Sequence, residues 1–284
     1  MKNLIQLKRD IKKRLEESGI EEADLDARLL ISEVTDLSDI DFAINQDRVM
    51  TDIEISKIMK LVEKRQRRIP MSQIFGEKEF WSLNFKVSGD TLTPRPDSET
   101  LIEATLKAVS DKKAPLKILD LGTGTGCLLL SLLSELPNST GVGADISEAA
   151  LLIANENANS LKLNSRTSFI ISDWFECVEN TQKFDIIISN PPYIGLVEKQ
   201  NLAPEVLDHE PHKALFSGAE GLDDYRRIAE NSAPFMKKNA LLVLEIGHLQ
   251  AKAVTGIFNQ NGFQDVAIHK DLGGRDRCLL ITQK

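Results

Sequence analysis

Apolar positions change their spacing twice along this chain, and each change marks a new kind of structure. Leu4, Leu7, Ile11 and Leu15 recur at helical intervals until Ser18-Gly19 interrupts them. Leu25, Leu29, Leu30 and Val34 predict a second helix turned toward the same core. A third opens at Thr51-Asp52-Ile53-Glu54, which has the form of a capping box, and is expected to bury Ile55, Ile58, Met59 and Val62. Residues 1–72 therefore read as a small helical bundle. Its closing run, Lys64-Arg65-Gln66-Arg67-Arg68, is expected to be a solvated helix end whose charges complement the helix dipole. From Trp81 the period becomes two, with Trp81, Leu83, Phe85 and Val87 alternating with polar residues. That strand is expected to pair with residues 73–80, so that residues 73–92 form a β-hairpin linker.

Residues 93–284 read as an α/β domain. The stiff stretch Thr93-Pro94-Arg95-Pro96 leads into a helix from about Asp97, with Ser98 or Asp97 as its cap. Strand 116–120, a Leu-rich helix, strand 141–145, helix 148–160 and strand 168–171 follow. Ile186-Ile187-Ile188 is a continuous β-branched run, which suits a strand buried on both faces of a parallel sheet. A helix from Leu222, strand 240–245, helix 249–261 and strands 264–269 and 277–281 complete the pattern.

The carboxyl ends of these strands carry the candidate chemistry, and that is where open α/β sheets bind ligands. The first strand runs into Gly122-Thr123-Gly124-Thr125-Gly126, whose glycines let the backbone turn tightly and approach a ligand. Position 127 is Cys, so the turn departs from the dinucleotide fingerprint G-x-G-x-x-G. The second strand ends in Asp145, which can accept both ribose hydroxyl hydrogens of a nucleoside. After the third, Asp173 could accept from an adenine amino group and Trp174 could cover the adenine face. The Ile-rich strand meets Asn190-Pro191-Pro192-Tyr193. Neither proline has an N–H and both fix φ, so the strand must stop at Asn190. The Asn190 side-chain oxygen and a backbone carbonyl at Pro191 can together accept both hydrogens of a planar NH₂ group. Tyr193 offers a ring for that group to pack against. A delocalised nitrogen lone pair must be aimed, and this arrangement aims it.

Composition narrows the setting. At 284 residues, 42% apolar and 27% charged, the chain suits a large globular domain with a smaller companion. A net charge of −8 disfavours non-specific coating of nucleic acid. The first residues scatter their charges, so no signal peptide is expected, and the most apolar later runs are too short to span a bilayer. Three cysteines far apart suggest neither a disulfide framework nor a zinc site, which fits a reduced cytoplasm. His209 and His212 have no third ligand at zinc-like spacing, so no metal is expected.

Several stretches resemble one family, the release-factor glutamine methyltransferases (HemK/PrmC). They are T-P-R-P-D-S-E at 93–99, the glycine turn, S-D-W-F at 172–175, N-P-P-Y at 190–193, E-P-x-x-A-L-x-x-G from Glu210, and residues 271–277. The resemblance covers essentially the whole chain. It implies a Rossmann-like seven-stranded S-adenosylmethionine (SAM) dependent methyltransferase domain, its last pair antiparallel, preceded by a small N-terminal helical domain. It implies methyl transfer to the side-chain amide nitrogen of the Gln in the Gly-Gly-Gln loop of class I peptide-chain release factors. On that reading the glycine turn, Asp145, Trp174 and Asn190 contact SAM, and Asn190, Pro191, Pro192 and Tyr193 hold the Gln amide. The helical bundle is expected to dock the protein substrate, and the transfer to be direct, without metal or covalent enzyme intermediate. Two other readings stay open. A nucleic-acid base amino-methyltransferase is disfavoured by the acidic balance and by a helical domain without a basic face. A non-catalytic SAM-binding partner of translation is disfavoured by the intact Asn190–Tyr193 stretch.

Overall fold

The computed structural model describes residues 2–283. Contacts divide it into two compact units: one runs to Gly76 and includes Ala203–His209, and the other takes Glu77–Leu202 and Glu210 onward.

The helical unit contains α1 (Leu4–Glu17), α2 (Ala23–Thr35), α3 (Asp39–Ile44), α4 (Asp52–Gln66) and α5 (Met71–Phe75). Helix α1 buries Leu4, Leu7, Ile11 and Leu15, as their spacing predicts. Helix α4 starts with the expected capping box, Thr51 and Glu54 each satisfying the other's backbone N–H. It buries Ile58 and Val62, while Ile55 and Met59 pack at the edge of the core. Helix α2 is rotated from the predicted face: Ala23, Ala27, Leu30 and Ile31 are buried and Leu25 is exposed. The cause is Asp26, which turns inward to accept from Arg65 Nε at 2.7 Å. The basic run is therefore not a solvated end. Arg65 is buried, and Arg65 and Arg68 both donate to Glu205 of the Ala203–His209 segment.

In the larger unit, β1 (Glu77–Phe80) and β2 (Leu83–Lys86) form an antiparallel hairpin. Its two-residue turn is Trp81-Ser82, both at positive φ (52° and 57°). Such turns normally announce themselves with Asn or Gly, so the predicted strand is entered two residues late. Residues 73–75, expected to be extended, instead belong to the helix α5. Phe80 and Phe85 are buried among Leu101, Ile118 and Leu129, which makes the hairpin part of the larger unit's core.

A seven-stranded sheet follows. It consists of β3 (Lys117–Leu121), β4 (Thr140–Asp145), β5 (Thr167–Ile171), β6 (Phe184–Ser189), β7 (Met236–Glu245), β8 (Asp265–Lys270) and β9 (Asp276–Thr282), in the order β5-β4-β3-β6-β7-β9-β8. All pairings are parallel except those of β9, which runs antiparallel to β7 and β8. Around the sheet lie α6 (Glu99–Ala108), α7 (Cys127–Glu135), α8 (Glu148–Ser160), α10 (Asp223–Asn231) and α11 (Ala251–Gln260); α9 (Pro204–His209) falls in the helical unit's segment. Alternation along β6 sends Ile187 to one core cluster, with Tyr225 and Phe258, and Ile186 and Ile188 to the other, with Leu129. The order reverses direction at β3, between β4 and β6, and a crevice opens at such a point. Among the described residues no helix is long and apolar enough to cross a membrane.

Breaking the Arg65–Asp26 pair from one side would leave the buried guanidinium with Glu205 as its remaining carboxylate and its Nε without the Asp26 acceptor. Asp26→Ala is expected to cost about 1–3 kcal/mol in urea unfolding of the full chain. A loss of under about 1 kcal/mol would show that the pair is structurally idle.

Candidate active site

A cavity of about 560 Å³ lies at the carboxyl ends of β3, β4 and β6, wholly within the larger unit. That volume suits a nucleoside-sized ligand. Its base is the glycine turn. Gly122 N and Thr123 N both donate to the Ala144 carbonyl, at 2.8 and 3.0 Å, folding the turn onto β4. Gly122 and Gly124 hold φ of 68° and 54°, a region that L side chains rarely adopt. A Cβ added at Gly124 would meet nothing within 4 Å, and one at Gly122 only the Trp174 ring, at 3.8 Å. The turn thus needs glycine for its backbone and leaves space above itself. Gly126 instead permits close packing, since a Cβ there would come within 3.1 Å of Leu130 Cδ1.

Asp145 closes the turn. Its Oδ2 accepts from Gly124 N at 2.8 Å and its Oδ1 from Ser147 N at 2.9 Å. Both oxygens keep a lone pair for further donors. Burial raises the Asp145 pKa, and the backbone N–H groups oppose that rise. Thr123 and Thr125 are buried; the Thr123 hydroxyl donates to Asp120 Oδ2 at 2.6 Å. Asn157 Nδ2 donates to the Thr125 carbonyl at 2.9 Å and to the Lys86 carbonyl at 3.1 Å, tying α8 to both the turn and the hairpin.

A second wall is built from Asp173 and Trp174. Trp174 has φ 51°, unusual for a bulky residue, and is held there by several bonds. The Ser172 hydroxyl donates to its carbonyl at 2.9 Å, and its indole N–H donates to Asp224 Oδ1 at 3.1 Å. Asp173 is paired with Arg227 at 2.8 Å. Asp224 and Arg227, on α10, also line the cavity.

Asn190 and Pro192 line the third side, and Pro191 is buried beneath them. Tyr193 is not among the lining residues. Its hydroxyl donates to Glu245 Oε1 at 3.4 Å, and its carbonyl accepts from Gln250 Nε2 at 2.9 Å. The following chain is pinned by the stretch from Glu210: Ile194 N donates to the Leu215 carbonyl and Ser217 N to the Ile194 carbonyl, both at 3.0 Å. Ser98 stands at the N-cap position of α6, as expected, but its side chain makes no capping bond. Ser98 donates to Glu245 Oε2, and Asp97 pairs with Arg277 at 3.0 Å. Arg95 pairs with the buried Glu210 at 2.6 Å. His212 stands edge-on to Phe216 on the cavity wall, whereas His209 Nε2 contacts the Arg67 carbonyl in the helical unit.

So the cavity brings together Gly122, Gly124, Asp145, Asp173, Trp174, Asn190 and Pro192 from the residues read in the sequence. Reasoning from sequence overlooked residues 90–92, Lys213, Asp224 and Arg227 on its walls. The pair of acidic and basic residues at the start of α10 was the available signal for the last two.

Residues 112–234 match the model of a methyltransferase domain, and residues 6–76 match that of the PrmC N-terminal domain. The release factor glutamine methyltransferase of Agrobacterium fabrum is 41% identical over 275 residues, which cover 96% of this chain and 94% of that one. This chain belongs to that family. The bifunctional methyltransferase of Rickettsia felis is 40% identical over 95% of this chain, which spans only 56% of that longer protein. The hMettl16 catalytic domain, solved in complex with MAT2A 3′UTR hairpin 1, aligns over 90% of both chains with a TM-score of 0.61. At 13% identity that likeness is one of fold alone.

In this member of the family, a buried acid lies directly under the glycine turn. Asp120 is fully buried, and desolvation pushes its pKa up to about 7 against the Thr123 hydrogen bond. Among the described residues its Oδ1 has no close hydrogen-bond partner. An unfolded Asp ionises near pH 4 while the folded one stays protonated until about 7, so stability falls as pH rises through that window. The loss is on the order of 4 kcal/mol. Asp120→Asn is expected to remove this share, giving a shallower fall in urea midpoint between about pH 4 and pH 8. Parallel pH dependences in the two proteins would show that Asp120 does not titrate this way.

Proposed function

We propose that this chain transfers a methyl group from SAM to the side-chain amide nitrogen of the Gln in the Gly-Gly-Gln loop of class I release factors. One observation carries the reading. Asn190 lines the cavity where β6 stops, and its Nδ2 donates inward to Ser98 Oγ at 3.4 Å. That leaves Oδ1 as the end of the amide available to accept from a substrate NH₂.

The residues present fit the cofactor. The open space above Gly124 admits a ligand chain against the bare backbone. The spare lone pairs of Asp145 suit the two ribose hydroxyls, while Asp173 and Trp174 suit the adenine amino group and face. Bound there, SAM supplies an electrophilic methyl group. Asn190 Oδ1 and the Pro191 carbonyl then accept both amide hydrogens, which aims the nitrogen lone pair. These acceptors become better matched as positive charge develops on nitrogen. Pro192 stiffens that edge, and Tyr193 anchors the loop to Glu245. Three unpaired thiols, Cys127, Cys177 and Cys278, suit the reducing cytoplasm where translation occurs. A single Gln side chain offers little surface for selection, so the helical unit supplies a second contact to the release factor.

Labelled SAM with purified release factor tests the reading, with label expected on the Gly-Gly-Gln peptide. Asn190→Ala is expected to lower kcat about 100-fold or more while SAM affinity changes less than ~3-fold. Asp145→Ala is expected to do the reverse, weakening SAM by about 1.5–3 kcal/mol in calorimetry. Both variants losing affinity alike would sink this division of labour.

The second contact has its own signature. A free peptide carrying the Gly-Gly-Gln loop is expected to react with kcat/KM about 10²–10⁴-fold below that of intact release factor. Equal values for peptide and protein would remove the docking role.

A further inference from the structure

We infer that Glu245 and Ser98 are positioning residues for the transfer, fixing which end of the Asn190 amide faces the cavity. The inference rests on the reading above, that Asn190 Oδ1 receives the substrate amide.

The geometry follows from the sheet. Strand β7 lies parallel to β6 with Leu244 opposite Ser189, so Glu245 comes level with Asn190. Glu245 is only 1% exposed. Its Oε2 accepts the Ser98 hydroxyl, and Ser98 Oγ in turn receives Asn190 Nδ2 at 3.4 Å. A serine hydroxyl has one hydrogen, so once that is given to Glu245 the oxygen can only accept from its other neighbour. An Asn amide has one donor end and one acceptor end. An ionised Glu245, which can only accept, therefore draws Nδ2 inward and turns Oδ1 to the cavity. A protonated Glu245 carries its own hydrogen to give, which frees the Ser98 hydrogen to meet Oδ1 and reverses the amide. The same carboxylate receives the Tyr193 hydroxyl through Oε1 at 3.4 Å, and the Tyr225 hydroxyl donates to the Glu245 carbonyl at 2.9 Å.

Burial pushes the Glu245 carboxyl up to about 7, against the Ser98 hydrogen bond and the charge of Arg277. Arg277 comes from β9 and is held by Asp271 at 3.3 Å and Asp97 at 3.0 Å; Asp97 pushes Glu245 further up. The other groups whose fields meet Glu245 are the phenols of Tyr193 and Tyr225 and the thiols of Cys127, on α7, and Cys278, on β9. Burial raises all four, so they stay neutral while Glu245 titrates. Transfer should therefore grow with pH through about 7, as the carboxylate forms.

The test uses the full-length protein, intact class I release factor and saturating SAM between about pH 6 and pH 9. Wild-type kcat is expected to rise through about pH 7 to a plateau. Glu245→Gln, which brings its own donor to Ser98, is expected to lower that plateau about 30–100-fold and to abolish the step. SAM affinity and the KM for release factor should stay within ~3-fold. Ser98→Ala should also lower kcat by about 10-fold or more, while Ser98→Thr, which keeps the hydroxyl, should return most of it. Wild-type kcat in Glu245→Gln or Ser98→Ala overturns the inference. So does a fall shared equally by Ser98→Thr, or a pH step that survives in Glu245→Gln. If the glutamine variant loses SAM binding, the Ser98 pair decides on its own. No transfer by the wild type would remove the functional reading and this inference together, whereas transfer unaffected by Glu245→Gln overturns the inference alone.

Discussion

The Asp145 carboxylate joins the two turns that make the base of the site, and the site depends on that joint. One oxygen receives Gly124 N and the other Ser147 N, while the neighbouring Ala144 carbonyl receives Gly122 N and Thr123 N. A turn with three residues in the left-handed region has few backbone partners of its own, and buried N–H groups left without one are costly. Here the end of β4 supplies the acceptors. The acid is thus structural before it meets any ligand, and burial already strains its ionisation. Asn157 extends the joint, holding the Thr125 carbonyl with the same amide that grips both backbone groups of Lys86 in the hairpin. The β1–β2 hairpin is therefore tied to the glycine turn through one buried side chain rather than hanging as a linker.

What was legible in the sequence was local, and what was hidden was the identity of distant partners. Leu4, Leu7, Ile11 and Leu15 could be read because one helix face meets one core. The glycine turn could be read because only glycine suits its backbone, and Asn190 because two prolines must end a strand. The face of α2 was misread because Asp26 is drawn in by Arg65, which is 39 residues away. Trp81-Ser82 was misread because a turn with two positive φ values gave no Gly or Asn signal. Asp173 was legible as an acid near the site, but its ion pair with Arg227 was not. The motif from Glu210 was legible as a motif only. Its backbone bonds to Ile194, which brace the loop after Asn190, appear only in three dimensions.

The polar side chains that sequence reading assigned to caps and strand ends proved to be the support behind the site. Ser98 looked like a helix cap and Glu245 like the last residue of an apolar strand. Each has a stronger claim on the other, because two buried groups with complementary donors cannot be left apart without cost. Arg277 shows the same logic at the sheet's far side, where Asp97 and Asp271 converge on one guanidinium.

Two buried acids flank the central strand in related ways. Asp120 on β3 lies opposite Ile188 of β6, and Glu245 ends β7 on the other side. Each is pushed up to about 7 by desolvation, and each receives one hydroxyl, Thr123 for Asp120 and Ser98 for Glu245. Thr123 belongs to the glycine turn and Ser98 reaches Asn190, so one acid–hydroxyl pair stands behind each half of the cavity base. A well-packed apolar residue at either place would avoid the desolvation penalty. Carboxylates at both positions are therefore better explained by orientation than by stability. The two pairs differ in how firmly they orient. Among the described residues Asp120 leaves Oδ1 without a close partner, whereas Glu245 has both oxygens engaged and its carbonyl held by Tyr225. The glycine turn has backbone bonds to β4 to fix it and can tolerate a loosely held acid. Among the described residues the Asn190 side chain is connected inward through Ser98 alone, so on its side the carboxylate must be fixed firmly.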